Sequence, residues 1–378
     1  MIQFYTLLIL DAILLQPVRL VLGFIMRFLW HPPKQAKRSI PTMALDEINA
    51  IAESRAGALG DKYFIGGDAA KFLGMMYHIH YITADMFLRL FDEDGSVRRN
   101  LKDSYTTEEE TFSTDMASGL MLGIRSLKFK HAAVSNMFER TTFKGFPMLF
   151  ASSQRGKELF GRGHIYRPWW IHGSEDVLTG LAWLRLAYEH TLERRYNIAS
   201  WVWFILHLPT ILLACPDAQI WLGRVYGASW HNTHSKALVF FTGAALGGWF
   251  RWVFCRALNY VAARHAEYNL DIMLMSGIFS DDYYLDSAAL DMLSDVANKG
   301  VEDCPNSTKY LSLFWPPEFV TNSREFQRVT HRGNDYVWER SPVKGWKYDE
   351  GGRWEHCLDL MFPLHLYKMN TIVRNFDF

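Results

Sequence analysis

Three clusters of polar and aromatic residues each stand immediately ahead of a segment rich in small and apolar residues, and this recurrence restricts the fold more than any other feature. The first is Phe112-Ser113-Thr114-Asp115-Met116, ahead of 117–127. The second runs Tyr166-Arg167-Pro168-Trp169-Trp170-Ile171-His172-Gly173-Ser174-Glu175-Asp176, ahead of 177–190. The third is Trp230-His231-Asn232-Thr233-His234-Ser235, ahead of 236–246. A segment of more mixed character follows each, at 129–140, 195–214 and 249–268. A buried helix entered through Asp, His, Asn and Trp, paired with a more exposed helix, is the unit of a ring of helical hairpins that places a site at one mouth.

The rest of the chain agrees with an all-α reading. In 44–59, Leu45, Ile48, Ile51 and Ala52 recur at helical spacing with acidic residues outside. Residues 69–91 continue helically to the turn Asp92-Glu93-Asp94-Gly95. In 281–298, Leu285, Ala288, Ala289, Met292 and Val296 share one stripe. No alternating strand pattern persists. Residues 301–352, punctuated by Pro316-Pro317, Gly333, Pro342 and Gly351-Gly352, form a long irregular C-terminal loop region, and 358–369 closes the chain as a helix containing Pro363. Five or six hairpins are expected from residue 44 onward.

The first thirty residues are mostly Leu, Ile, Val and Phe, broken by Asp11, Pro17, Arg19 and Arg27. The charges come late, at Arg27, Lys34, Lys37 and Arg38, with no small-residue cleavage site. An uncleaved N-terminal apolar helix is therefore expected over 1–30. It would associate the protein with a membrane as an anchor or an interfacial helix, the alternative being a helix packed on the domain. A linker over 31–43 and a helical domain over 44–378 complete the organisation. The apolar stretches 201–215 and 237–250 are too short to span and are expected to be core helices.

Lys plus Arg equals Asp plus Glu at 40 each, so the chain as a whole has no basic footprint and no nucleic-acid partner is expected. Fourteen tryptophans suit either a large aromatic core or platforms that stack on sugar faces. The cysteines, Cys215, Cys255, Cys304 and Cys357, are too scattered for a zinc motif.

The alternation of small-rich inner helices and more polar outer ones, with clusters at the inner entrances, resembles the (α/α)6 toroids. These include the six-hairpin glycosidases and the toroidal polysaccharide lyases. The resemblance covers most of 44–378 as architecture. It implies an all-α toroid-like ring that binds an oligo- or polysaccharide in a cleft at one end. The segment around Asn232 and His234 is loosely similar to the Asn-His element of alginate-lyase-like toroids, without its adjacent Asn-Asn-His form.

Two chemistries fit these clusters. Glycoside hydrolysis needs two carboxyl groups flanking the bond, one protonated and one ionised. Asp115 with Asp176 would supply them, with Glu175 and His172 as alternates. Each acid also suits a plainer task, Asp115 as a helix cap and Glu175 and Asp176 as partners of a helix dipole. A uronate lyase would instead neutralise the substrate carboxylate with Asn232 and Arg167, and move protons with His234 or Tyr166. Trp169, Trp170, Trp230 and His231 would complete the substrate surface, while Trp338, Trp346 and Trp354 would be rim platforms or ordinary loop anchors. The histidines equally suit bonds satisfied within the structure. His231, His234, His172 and Asp176 are a weak set for a metal, and no metal or cofactor is expected. Phosphate loops, GxSxG, HExxH and dinucleotide fingerprints are absent from the sequence. A third reading is a non-catalytic helical binding or assembly subunit of a membrane complex.

Overall fold

The computed structural model describes residues 42–57, 69–101, 114–144, 174–214, 229–265, 269–279, 285–298 and 357–375, together with Ile9, Ile13, Pro17, Leu20, Val21, Phe64, Tyr336 and Trp338. These residues are mostly helical. No strand occurs among them, and an isolated bridge joins Phe91 to Val97. The helices are α1 (Leu45–Gly57), α2 (Ala69–His78), α3 (Ala84–Leu88), α4 (Thr114–Ser126), α5 (Ala132–Glu139) and α6 (Ser174–Thr191). They continue with α7 (Arg194–Pro209), α8 (Ser229–Ala245), α9 (Arg251–His265), α10 (Leu270–Gly277), α11 (Leu285–Ala297) and α12 (Leu358–Asn375). Single π-helical turns, Arg140–Lys144 and Thr210–Ala214, extend α5 and α7, the second directly after Pro209.

Two kinds of helix emerge. In α2 every residue from Ala69 to Met76 is buried, and in α10 every residue from Leu270 to Ser276. Most of α4, α6 and α8 and the first half of α12 are equally enclosed. By contrast α5 buries one stripe, Ala133, Val134, Met137 and Phe138, and α7 buries Tyr196, Ala199, Ser200, Trp203, Phe204 and His207. That is the expected contrast of enclosed and one-faced helices.

The chain forms two compact units. One comprises Met1–Phe28, Asp61–Gln219 and Leu238–Ala257, and the other Leu29–Gly60, Ile220–Ala237 and Leu258–Phe378.

In the first unit α2 and α4 touch backbone to backbone. A Cβ on Gly74 would lie 1.9 Å from the Gly119 carbonyl oxygen, and one on Gly119 would lie 2.2 Å from the Lys71 carbonyl oxygen. Only glycine permits that approach. Lys71 faces Gly119, Gly74 faces Gly119 and Gly123, and His78 Nδ1 bonds the Ser126 hydroxyl at 2.8 Å. Residue numbers rise together along the seam, so the two helices run parallel.

The C-terminal ends of α6 and α8 join the same end of this unit. Arg125, in the last turn of α4, donates to the Ala245 carbonyl of α8 at 2.8 Å. His190, in the last turn of α6, meets the turn after α4, where its Nε2 accepts from the His131 N–H at 3.1 Å. The C-terminal ends of α2, α4 and α6, and of the part of α8 that belongs to this unit, thus meet. The one-faced α7 returns antiparallel to α6: Trp203 Nε1 donates to the Val177 carbonyl at 2.9 Å, and Arg185 donates to Asn197 Oδ1 at 2.7 Å.

In the second unit α10 and α12 run parallel. Trp338 ties their starts, accepting from Asn269 Nδ2 at 2.6 Å and donating from Nε1 to the Asp359 carbonyl at 2.9 Å. Further along, Asn370 of α12 donates to the Leu274 carbonyl of α10 at 2.9 Å. Pro363 lies inside α12 and has no N–H for the carbonyl four residues back, which is Asp359. The Trp338 indole occupies that vacated acceptor. Here α1 also meets α11: Arg55 donates to the Val296 and Ala297 carbonyls at 3.0 and 2.9 Å, covering the open end of α11.

The stretch 69–91, expected as one helix, is divided. His80 adopts a left-handed backbone (φ 61) and ends α2, and the Thr83 hydroxyl accepts from the Met86 N–H to start α3. Most of the apolar segment 1–30 and of the linker 31–43 lies outside the described residues. Among those described, no helix is long and apolar enough to cross a membrane.

Candidate functional site

The third cluster lies inside α8, and the last residues of the first two, Thr114–Met116 and Ser174–Asp176, open α4 and α6. α4 begins at Thr114, which puts Asp115 in its first turn. α6 begins at Ser174, which puts Glu175 and Asp176 in its first turn. α8 begins at Ser229 and includes Trp230, His231, Asn232, Thr233 and His234. A first turn is where a carboxylate meets the unpaired N–H groups and positive end of a helix. The side chains of Asp115, Glu175, Asp176, Trp230, His231 and Asn232 are outside the described set. So are Tyr166, Arg167, Trp169, Trp170 and His172 altogether, and Trp346 and Trp354 with them.

His234 is the sequence candidate whose surroundings are visible, and it sits where helix starts meet. Its Nε2 bonds Asp271 Oδ2 at 2.8 Å across from the first turn of α10, and both side chains are fully buried. The Tyr336 hydroxyl donates a short bond to the same carboxylate oxygen. The Tyr336 ring lies edge-on to the imidazole, with centroids 5.2 Å apart. Burial, and then the Asp271 charge, push the Tyr336 phenol well above its ordinary value, so it stays a neutral donor. Sharing one carboxylate oxygen with the phenol fixes the imidazole ring and orients its proton.

The frame around this cluster is equally polar. Asn269 caps α10, its Oδ1 accepting from the Ile272 N–H at 3.2 Å while its Nδ2 reaches the Trp338 carbonyl. Trp338, completely buried, is thus a loop anchor and not a stacking platform. Buried Asp359, in the first turn of α12, repeats the placement of Asp271 in α10. Beside it, burial and the Asp359 charge push the Cys357 thiol up to about 12. Inside the second unit, then, the starts of α8, α10 and α12 converge on His234, Asp271, Tyr336 and Trp338.

Asp271, Asn269, Asp359 and Tyr336 were not among the sequence candidates. Asn269-Leu270-Asp271 and Leu358-Asp359 carry the same signal as the three clusters, a polar entry into an apolar run, and could have been found by extending that pattern. Tyr336 has no such signal, because a residue in a long irregular segment has no period to betray it. Among the described residues no group of three His, Cys, Asp or Glu could hold a metal. Comparison with family models, curated proteins and solved structures finds no match.

Proposed function

We propose that the chain is a carbohydrate-active enzyme with the hairpin ring of an (α/α)6 toroid, hydrolysing glycosidic bonds in a glycan or polysaccharide with Asp115 and Asp176 as its acid–base pair. The observation that carries this reading is the position of both acids in first turns of α4 and α6. These two enclosed helices pack against each other in one unit with their C-terminal ends together. With two such acids flanking one bond, a short separation would lead to a covalent glycosyl intermediate and a longer one would admit water for direct displacement. Glu175 is the alternate partner of Asp115. The segment 1–30 attaches the enzyme to a membrane.

The second reading is a uronate lyase with Asn232 and Arg167 on the substrate carboxylate and Tyr166 moving the proton, while the enclosed His234–Asp271–Tyr336 cluster holds the start of α8 in place.

The test is product formation on a panel of neutral and uronate glycans. Hydrolysis releases reducing ends without the ultraviolet absorbance of an unsaturated uronate. Replacing Asp115 or Asp176 by Asn then lowers turnover by about 100-fold or more with the circular dichroism unchanged. Unsaturated product that disappears in Tyr166→Phe establishes the lyase instead. Glycan binding with no product from the wild-type chain leaves a binding subunit and ends both enzymatic readings.

A further inference from the structure

The first unit carries an exposed aromatic and aliphatic ridge that the proposed chemistry does not use. Along α7, Ile198, Trp201 and Ile205 share one face, and the two isoleucines are 57% and 62% exposed. The turn between α8 and α9 continues this face. The Trp249 ring lies 4.7 Å from Trp201 and 5.1 Å from Phe204, and Trp252 lies 5.9 Å from Trp249. Trp249 is 53% exposed and Trp252 40%. A contiguous apolar surface of this kind on a folded unit marks a docking face.

Its electrostatic setting selects the occupant. The chain is neutral as a whole, yet the elements that carry the ridge expose arginines along it. Arg194 stands one turn ahead of Ile198 on α7, and Arg251 and Arg256 flank Trp252 at adjacent and one-turn spacing on α9, all three exposed. Indoles backed by aliphatic side chains and rimmed by arginine match the interfacial zone of a bilayer with anionic headgroups. A nucleic acid or a sugar would use the arginines and tryptophans but leave the isoleucines in water. Two copies of the ridge would oppose basic rims. The same unit also exposes Ile9, Ile13 and Val21 of the N-terminal segment.

We propose that the α7 face and the α8–α9 turn form a membrane-docking surface for anionic bilayers, acting alongside the N-terminal segment and independently of any catalytic activity. The experiment is co-sedimentation of the full-length chain with phosphatidylcholine vesicles, with and without phosphatidylglycerol. Two double variants are compared with the wild type: Trp249→Ser with Trp252→Ser, and Arg251→Glu with Arg256→Glu. Each is expected to weaken binding to the anionic vesicles by about tenfold or more while the N-terminal segment is intact. Brominated lipid should quench less of the fluorescence in a Trp249→Phe, Trp252→Phe chain than in the wild type. Unchanged affinity in both folded double variants overturns the proposal, leaving the N-terminal segment as sole attachment. So does a concentration-dependent dimer that the tryptophan variant abolishes without any change in vesicle binding. Retention of an oligonucleotide that the arginine variant releases, with vesicle binding unaltered, overturns it in favour of nucleic acid.

Discussion

Asp271 holds two donors on one carboxylate oxygen in a place without solvent, so its substitution is felt at both. Asp271→Asn removes the charge that orients the imidazole and turns one acceptor into a donor. A loss of about 3–5 kcal/mol in urea unfolding is expected, the cost of breaking a buried pair from one side. Tyr336→Phe leaves the His234 bond in place and should cost less, about 1–3 kcal/mol. His190 gives a pH dependence. Burial is the largest influence and holds its imidazole below the ordinary 6.5, although the His131 carbonyl 3.3 Å away works the other way. The unfolded chain therefore takes up this proton first as pH falls. Its contribution to stability is complete above about pH 6.5 and is lost as the pH falls through the lower folded value. Melting temperatures at about pH 7.5 and about pH 5.5 should differ less in His190→Gln than in the wild type. His234 was legible as a helix-entry imidazole because its neighbours in sequence are polar too. Its partners were not, since the bonds that define the site join residues 37 and 65 positions apart.

Helices obey a different logic, because their cost is set by what meets across them. At the α2–α4 seam the neighbour of each added methyl is backbone, which cannot rotate aside. Gly74→Ala or Gly119→Ala should therefore destabilise by about 3 kcal/mol or more. Gly57→Ala, at the end of α1 with nothing within 4 Å of the new Cβ, should be neutral or stabilising by up to about 1 kcal/mol. Chemical denaturation of the three variants checks the contrast. In α12 the Trp338 indole replaces the N–H that Pro363 lacks. Trp338→Phe should then cost about 1–3 kcal/mol, and less of it in a Pro363→Ala background, where the restored N–H reaches Asp359. Helical spacing revealed most of these elements: the expected 281–298 and 177–190 correspond to α11 and α6. It hid α10, whose Leu270-Asp271-Ile272-Met273-Leu274-Met275 run is enclosed on every side and so has no polar face to set a period. It also ran α2 into α3, because a left-handed histidine leaves no mark in a hydrophobic pattern.

On the scale of the molecule, the second unit is assembled from segments far apart in the chain, with α1 placed against α11 and α12. Sequence patterns report on neighbours along the chain, so this closure of the beginning onto the end was not legible. Its consequence is testable. Arg55→Ala removes two buried charge-assisted bonds to the end of α11 and should cost about 2 kcal/mol. Removal of 1–60 should raise amide exchange throughout α11, whereas removal of 1–41 should leave it protected, as read by hydrogen–deuterium exchange. The all-helical class followed directly from the absence of alternating segments, whereas the helix starts that carry Asp115 and Asp176 were placed a few residues late in the sequence reading. The glycine seam has one more use. Where two main chains meet with no room for a methyl, drift is confined to a single residue type, while polar entries can change as chemistry changes. In any distant cousin of this chain, glycines equivalent to 74, 119 and 123 are the fixed marks from which an alignment should be started.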